Sequence, residues 1–260
     1  MMNLTSPSQV KAWCIEHGFH PNKTLGQNFL IDRNALLSIV DAGLEGNPAT
    51  VLEIGPGLGV LTEEMLKRGV KVTAVEKDPV LADRLKPALG NPVDLEVVKG
   101  DALETELPAA DAMVSNLPYQ AGTRILLELV QRRDIRRMTV LVQTEVAERL
   151  AAQEGGKTRG LAGVWAQLDY DVKIVRKVAA SCFWPRPEVG SSVVTLERHD
   201  RNLGLGEEER KLFHRITKQA FEHRRKQLGS IFRDYIQSTL RAEELSNEEW
   251  IALVKGLSGQ

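Results

Sequence analysis

Strand-like and helix-like segments alternate regularly over residues 50–153 of this chain. Short runs rich in β-branched residues, such as "TVLEIG" (50–55) and "KVTAVE" (71–76), are each followed by a longer segment with helical periodicity, such as "VLTEEMLKRG" (60–69). Because parallel neighbouring strands need a crossover connection, this order predicts an α/β fold with a parallel sheet and helices on both faces. The same pattern predicts further strands at 95–103, 111–119 and 138–143, and further helices at 79–89, 123–132 and 144–153.

Two β-rich runs follow this region, at 171–178 and 191–199. Their β-branched residues and short connection predict strands at a partly antiparallel edge of the sheet. The sequence pattern then changes. Residues 201–210 are typical of a linker, and only helix-like patterns follow from Glu207 onward.

We therefore predict two domains, 1–200 and 201–260, of which the second is small and all-helical. A capping box, with Ser246 and Glu249 three residues apart, predicts the start of the last helix. No internal repeat or low-complexity tract is visible in the sequence.

The sequence carries few signs of a membrane, metal or disulfide protein. Its apolar runs fall short of the roughly 20 residues that span a bilayer, and its N-terminus lacks the layout of a signal peptide. Cys14 and Cys182 form no CxxC pair and predict free thiols in a reducing cytoplasm. The five histidines show no zinc-ligand spacing. We predict a cytoplasmic protein with no metal and no membrane partner, and the net charge of -1 argues neither for nor against nucleic acid.

A glycine-rich loop, "EIGPGLG" (53–59), directly follows the first strand of the alternating region. Gly55 and Gly57 let the backbone turn tightly and approach a ligand closely. A dinucleotide-binding loop would have its third glycine at position 60, which is Val60, whereas this loop has Gly59 and an acidic residue ahead of its first glycine. That form resembles the first motif of S-adenosylmethionine (SAM) methyltransferases. The alternative is a glycine turn that only packs the strand on the helix.

Polar residues also stand where the next three strands end. Glu76 lies about 20 residues after the glycine loop, where a carboxylate can accept both hydroxyls of a ribose. Asp101 could accept a hydrogen bond from an adenine amino group, or it could cap a helix. Asn116 ends the fourth strand. Because the carboxyl ends of parallel strands share the sheet edge where ligands bind, we predict a nucleoside-cofactor site there.

The turn "SNLPYQ" (115–120) combines groups that suit an adenine whose amine must become a nucleophile. The side-chain carbonyl of Asn116 and the backbone carbonyl of Leu117 can accept its two amino hydrogens and align the nitrogen with a methyl donor. Pro118 stiffens the turn and donates no N–H. Tyr119 can stack on the purine face. The alternative is an Asn-Pro turn with a half-buried tyrosine.

An aromatic–proline segment, "CFWPRPEVGSSVV" (182–194), accompanies this turn. Phe183 could pack near an extruded base, or the segment could simply cover the edge of the sheet. The sequence leaves open whether Phe183 or Trp184 faces the site.

The motifs that carry a family resemblance span nearly the whole chain. They are "KTLGQNFLID" (23–32), "EIGPGLGVLT" (53–62), "VEKD" (75–78), "GDAL" (100–103), "NLPY" (116–119), "FWPRPEVGSSVV" (183–194) and "FEHRRKQL" (221–228). In this order they resemble the ribosomal RNA adenine N6-dimethylases. The resemblance implies a Rossmann-like SAM domain, a helical C-terminal domain, and dimethylation of two adjacent adenines in a hairpin loop near the 3′ end of small-subunit (16S) rRNA. The sequence departs from the family pattern at "QAGT" (120–123), at 155–167 and at "EVG" (188–190), which concerns rRNA contacts rather than the chemistry.

The resemblance also implies residue roles and partners. The positions matching the family's cofactor contacts are Asn28, Leu30, Gly55, Glu76, Asp101 and Asn116. Gln27 joins Asn28 in an implied N-terminal flap over SAM. The implied partners are small-subunit rRNA and the immature small ribosomal subunit, and we predict a monomer.

Basic residues are concentrated between 210 and 233, where eight of 24 residues are Lys or Arg and only Glu222 is acidic. We predict that Arg224, Arg225 and Lys226 bind rRNA phosphates, with a second basic cluster at 131–137. The alternative is a solvated helix face.

The sequence leaves two alternative functions open. One is a macrolide-resistance dimethylase of large-subunit rRNA, against which Leu117 and the net charge argue. The other is a non-catalytic small-subunit assembly factor, against which the intact "NLPY" turn argues.

Overall fold

The structure, a computed structural model, describes residues 2–201, 203–233 and 236–258. The chain forms two compact units, Met1–Ala147 with Lys173–Glu197, and Glu148–Val172 with Arg198–Gln260. This division differs from a single boundary near residue 200, because Glu148–Val172 makes its contacts within the second unit. The functions predicted for the two domains stay predictions.

The helices and strands follow the predicted alternation with shorter bounds. In chain order they are α1 (Pro7–Glu16), β1 (Phe29–Leu30), α2 (Arg33–Gly43), β2 (Thr50–Ile54), α3 (Val60–Lys67), β3 (Lys71–Glu76), α4 (Pro79–Ala88), β4 (Leu95–Lys99), β5 (Ala112–Asn116), α5 (Gly122–Leu129), β6 (Arg137–Gln143), α6 (Thr144–Ala151), α7 (Leu161–Asp169), β7 (Tyr170–Val178), β8 (Phe183–Trp184), β9 (Ser191–Arg198), α8 (Glu207–Glu222), α9 (Leu228–Ile231) and α10 (Asn247–Ser258). Three short 3₁₀ turns cover Lys23–Leu25, Ala180–Cys182 and Ala242–Glu244. The helix α7 was not among the predicted elements.

The seven-stranded sheet has the order β4-β3-β2-β5-β6-β9-β7. The five strands from β4 to β6 are parallel, and β9 pairs antiparallel with β6. The predicted α/β class, with an antiparallel component at one edge, is therefore confirmed. Two strands end earlier than predicted, β4 at Lys99 and β5 at Asn116. The second ends there because Pro118, two residues on, has no N–H to continue a ladder.

Helices bury the sheet on both faces. In β5 and β6, Val114 and Leu141 are fully buried, and α2 packs across both strands through Ile39 and Val40. Burial on both faces explains why these strands read as nearly continuous apolar runs rather than alternating ones. Functional groups of the first unit are therefore left to the strand ends and the loops that follow them.

The N-terminal segment lies over these loops. Residues of β1 pair antiparallel with β8, and the N–H of Ile31 donates to the carbonyl of Cys182 at 2.8 Å. A small apolar cluster that includes Val10, Cys14 and Phe29 holds α1 against Leu81 of α4. The segment between α1 and α2 is thereby brought to the carboxyl edge of the sheet.

The second unit is helical over most of its described length. The predicted capping box is confirmed, since the N–H of Ser246 donates to the Glu249 carboxylate at 2.7 Å and the Glu249 N–H donates to the Ser246 hydroxyl at 3.1 Å. Helix α8 begins at Glu207, inside the predicted linker, where the carboxylate of Glu209 accepts from the N–H of Gly206 at 2.7 Å. Within the described ranges, no helix is both long and apolar enough to cross a membrane.

Candidate active site

The glycine loop between β2 and α3 takes a conformation that its glycines make possible. Gly57 has φ +59, in the left-handed region. A Cβ on Gly57 would lie 3.1 Å from the Phe29 ring, so a side chain there would push on the N-terminal segment. The N–H of Gly57 instead donates to the Glu76 carboxylate at 3.0 Å.

Glu76 is buried at the end of β3 and ties two turns together. One oxygen accepts from Gly57, and the other accepts from the N–H of Asp78 at 2.8 Å. Burial raises the pKa of Glu76 above its usual range, and these backbone hydrogen bonds partly offset that rise. Each oxygen keeps a further lone pair that can accept a hydrogen bond from a ligand.

Glu53 is the other buried carboxyl group beside the loop. Its side chain is 1 % exposed and accepts a hydrogen bond from the Thr62 hydroxyl at 2.6 Å. Burial raises the pKa of Glu53 to about 8, and the nearby Glu76 carboxylate adds to the rise. Glu53 is therefore largely protonated at neutral pH.

Asp101 lies two residues beyond β4 with both carboxylate oxygens engaged. Lys77 donates to one oxygen at 2.6 Å, and the N–H of Leu103 donates to the other at 3.0 Å. These contacts hold the pKa of Asp101 below its ordinary value. No helix begins here in the described chain, so Asp101 closes a turn rather than capping a helix. The ion pair with Lys77 was not predicted from the sequence.

The Asn116–Tyr119 turn leaves β5 with its polar groups oriented by neighbouring strands. Asn116 donates through its side-chain amide N–H to the carbonyl of Asn28 at 3.1 Å, so its Oδ1 is the atom left to accept. Leu117 donates its backbone N–H to the carbonyl of Leu141 in β6 at 3.1 Å. Among the residues described here, no backbone N–H donates to the Leu117 carbonyl. The carbonyl of Pro118 accepts from Gly122, which starts α5.

Tyr119 is half-buried and held at the far end of its ring. Its hydroxyl shares a 2.5 Å hydrogen bond with the Ser191 hydroxyl. The ring of Phe183 meets it edge to face at a centroid distance of 6.5 Å, whereas Trp184 stacks on Phe29. Phe183 is thus the aromatic side chain beside Tyr119, although neither Phe183 nor Trp184 lines the cavity described below.

A stretch of the N-terminal segment lies against this turn. The side chain of Gln27 donates to the Asp78 carboxylate at 2.9 Å, and the Asn28 side chain donates to the carbonyl of Gly26 at 3.1 Å. Gly26 packs so closely on the turn that an added Cβ would be 3.0 Å from the backbone nitrogen of Tyr119.

These groups surround one cavity of about 270 Å³. Its lining includes every predicted cofactor contact, namely Gln27, Asn28, Leu30, Gly55, Gly57, Glu76, Asp101 and Asn116. Leu117, Pro118 and Tyr119 also line it, but Phe183 does not, because its side chain is 2 % exposed and lies behind Tyr119. Arg124, which the sequence did not single out, adds an exposed cation to the lining.

The cavity suits a cationic adenosine derivative. A carboxylate ends β3, a second carboxylate follows β4, and the glycine loop after β2 admits close backbone approach. No group of three or more His, Cys, Asp or Glu side chains is placed to hold a metal ion in the part of the chain that the structure describes. A parallel sheet with this loop and these strand ends defines a SAM-dependent methyltransferase.

Comparisons with known proteins identify a family within this class of methyltransferases. The family described as "Ribosomal RNA adenine dimethylase" matches residues 18–252, and the chain belongs to that family. SAM is accordingly its cofactor. The "Ribosomal RNA small subunit methyltransferase A" of Deinococcus radiodurans is 46% identical over 200 residues, which are 75% of this chain and 67% of that protein.

Two solved structures share the fold. A dimethyladenosine transferase from Plasmodium falciparum superposes with a TM-score of 0.75 at 23% identity, covering 88% of this chain and 97% of that one. The 23S rRNA methyltransferase ErmE superposes with a TM-score of 0.68 at 25% identity, covering 89% of this chain and 100% of that one.

The predicted basic residues of the second unit differ in their surroundings. Arg224 is half-buried, donating to the carbonyl of Lys157 at 2.6 Å and approaching Glu243 at 3.5 Å. Arg225 and Lys226 are exposed, and no ion pair within the described residues engages either side chain.

The second predicted cluster, at 131–137, is largely neutralised. Arg132 pairs with Asp134, and Arg137 contacts both Glu45 at 2.8 Å and Glu197 at 2.9 Å. Arg136 also approaches Glu197, at 3.5 Å. These carboxylates lower the net positive charge of the cluster, and its binding of rRNA phosphates stays a prediction.

Proposed function

We propose that this protein transfers methyl groups from SAM to the N6 atoms of two adjacent adenines in a hairpin loop of small-subunit rRNA. The observation that carries the proposal is the Asn116–Tyr119 turn, whose free acceptors line the same cavity as the glycine loop and Glu76. The name of the Deinococcus radiodurans relative, a small-subunit rRNA methyltransferase, supports the small-subunit substrate.

SAM supplies an electrophilic sulfonium methyl group. The chain's task is then to present the adenine amine in line with that group. Asn116 would accept one amino hydrogen through Oδ1 and the Leu117 carbonyl would accept the other, which favours pyramidal geometry at nitrogen as positive charge develops. Because the donor is already activated, no strong base is needed before attack, and the proton can leave afterwards to water.

Glu76 would accept the ribose hydroxyls of the cofactor, and Asp101 its adenine amino group. Glu76 is pinned by the N–H groups of Gly57 and Asp78, so little reorganisation is needed when SAM binds. Lys77 keeps Asp101 ionised and therefore an acceptor. Gln27 and Asn28 would close the N-terminal flap over the cofactor.

Tyr119 would hold the target base. An adenine in a hairpin loop is already partly unstacked, so extruding it costs at most a few kcal/mol. Stacking on an aromatic side chain is worth about 1–3 kcal/mol per base, which offsets much of that cost. Phe183 would support the ring of Tyr119 from behind rather than touch the base.

The contact between the flap and the turn leads to a prediction for Gly26→Ala. Gly26 has φ +66, and its Cβ would lie 3.0 Å from the Tyr119 nitrogen. Overpacking of this kind costs about 1–3 kcal/mol, so displacement of the flap should weaken SAM binding by roughly 5- to 150-fold in calorimetry.

Gly18→Ala is the matched control for this prediction. Gly18 has φ +58 but no atom within 4 Å of an added Cβ, so the substitution imposes similar backbone strain without the contact. Equal SAM affinities of the two variants would contradict a closed flap over the cofactor.

A second prediction concerns rRNA phosphates. Joint substitution of Arg225 and Lys226 by glutamine should lower the salt dependence of rRNA binding, by roughly 1.4–1.8 units of log K per log salt if both contact phosphates. Lys67→Gln with Arg68→Gln is the control, because these adjacent cations are already paired with Glu63 and Glu64. An unchanged slope for Arg225 and Lys226 would identify them as a solvated face.

Methyl transfer from labelled SAM tests the proposed function directly. Undermethylated small subunits and, separately, large-subunit rRNA should be offered to the purified protein. Label in N6-dimethyladenine of the small subunit alone supports the proposal, and label in large-subunit rRNA would favour the activity named for ErmE. No transfer to either, with SAM bound, would identify a non-catalytic assembly factor.

The proposal extends to assembly state and location. We infer a monomer that acts on the immature small subunit, because every residue proposed to contact SAM or the target adenine lies in the first unit and lines this cavity. A cytoplasmic location follows from the proposed ribosomal substrate. Sedimentation of the protein with and without small subunits would test the monomer.

A further inference from the structure

The hydrogen bond between Tyr119 and Ser191 links two strands that are not neighbours. Tyr119 follows β5, whereas Ser191 begins β9, and β6 lies between those strands in the sheet. We propose that Ser191 is a positioning residue for methyl transfer, which fixes the place of the Tyr119 ring before the adenine arrives. This inference rests on the proposed function, because it assumes that Tyr119 stacks on the target base.

Ser191 is a rigid point of attachment. Its side chain is fully buried, and its backbone pairs with Gln143 at the end of the β6–β9 ladder. The adjacent carbonyl of Gly190 accepts from the N–H of Thr144 at 3.0 Å, which extends the contacts of β6 and β9 to the residue before Ser191. A hydroxyl carried by such backbone cannot follow a moving tyrosine, so the tyrosine must adapt to it.

The hydrogen bond with Ser191 holds the end of the Tyr119 side chain that would otherwise move farthest. The hydroxyl oxygen is the side-chain atom farthest from the Tyr119 backbone, so holding it at 2.5 Å from Ser191 limits rotation about the first side-chain torsion. Rotation about the second torsion does not move that oxygen. The edge-to-face contact with Phe183 restrains the ring near its middle. Tyr119 lines the cavity, so both restraints act on a residue of the site itself.

The place of the ring should matter to the chemical step. A base stacked on a displaced ring would carry its amine away from the acceptors on Asn116 and Leu117. Misplacement of a reacting group by about 1 Å can slow a reaction by 10²-fold, so loss of a single restraint on the ring is expected to cost roughly tenfold. Binding of SAM should be unaffected, since neither Ser191 nor the Tyr119 hydroxyl belongs to its proposed contacts.

A purely structural hydroxyl would behave differently, and the next residue provides the comparison. Ser192 is equally buried, and its hydroxyl shares a 3.1 Å hydrogen bond with that of Thr144 rather than with a residue of the cavity. Ser191→Ala and Ser192→Ala each remove one buried hydrogen bond in β9. Both should lower thermal stability, but only Ser191→Ala should slow methyl transfer.

The test is a double-mutant cycle on the full-length protein. Single-turnover methylation of undermethylated small subunits is measured at saturating SAM for wild type, Ser191→Ala, Tyr119→Phe and the double variant, with Ser192→Ala as control. Each single variant removes the same hydrogen bond from one side. We expect each to be about tenfold slower than wild type and the double variant to be no slower than either.

Several outcomes would overturn the inference. A wild-type rate for Ser191→Ala would do so, as would rate losses that multiply in the double variant or an equal loss in Ser192→Ala. Should Ser191→Ala not fold, Tyr119→Phe alone still decides, because an unchanged rate there excludes any role for the bond. A wild-type protein that methylates no subunit would refute the proposed function instead, so the two failures are distinguishable.

Discussion

Asn116→Ala is expected to slow single-turnover methyl transfer by on the order of 10²-fold or more, the loss typical for removal of one preorganised polar group at a reacting centre. The substitution removes Oδ1, one of the two acceptors proposed for the amino hydrogens of the adenine. It also frees the carbonyl of Asn28, which the Asn116 amide now holds at 3.1 Å. The rate should be measured at saturating SAM, so that any loss of cofactor affinity does not contribute.

Asn116→Asp separates the two roles of this side chain. An aspartate keeps an acceptor oxygen in the same place but cannot donate to Asn28. We expect it to retain more of the rate than Asn116→Ala while weakening the flap to a similar extent. A full single-turnover rate in Asn116→Ala would remove Asn116 from the chemical step and with it the proposed role of the turn.

Glu76→Ala should weaken SAM binding by on the order of 10²-fold, because hydrogen bonds to a charged acceptor are worth about 1.5–3 kcal/mol each. Two losses combine in this variant. The ribose hydroxyls lose their proposed acceptor, and the N–H groups of Gly57 and Asp78 lose the carboxylate that holds them. Calorimetry on the folded variant gives the affinity directly. Asp101→Asn should have a smaller effect, since an amide oxygen can still accept.

Asp111→Ala is the matched control for Glu76→Ala. Asp111 also pins backbone amides with a carboxylate, accepting from Ala49 and Thr50 at 2.9 Å each, but it precedes β5 and lies outside the cavity. Both variants should lower thermal stability, and only Glu76→Ala should lower SAM affinity. Unchanged affinity in a folded Glu76→Ala protein would rule out the ribose contact.

Most strands and helices of the fold could be predicted, because the sequence patterns that indicate them are local. Alternating periodicity located the strands of the parallel sheet, and Lys71–Glu76 was predicted to the residue. The prediction was wrong mainly at the ends of strands. Asp101, for example, was predicted to lie within β4, but that strand ends at Lys99. The reason is that a turn and a strand end share polar residues and differ only in which hydrogen bonds their backbone makes.

The candidate site was predictable for a topological reason. Glu76 and Asn116 are 40 positions apart, yet both end parallel strands, and parallel strands bring their carboxyl ends to one edge. Knowledge of the sheet type was therefore enough to bring these residues together. No topological rule of this kind predicts the position of Phe183, because its burial behind Tyr119 depends on the pairing of β8 with β1.

The sequence by itself determined the α/β class, the ligand-bearing edge and the residue types along it, because periodicity and strand order are written in consecutive residues. Only the tertiary structure decided which of those groups are free to act. Lys77 engages Asp101, Ser191 engages Tyr119, and carboxylates from distant segments neutralise the cluster at 131–137. Each of these contacts joins residues at least 24 positions apart, and its formation depends on how strands and loops pack rather than on any local pattern.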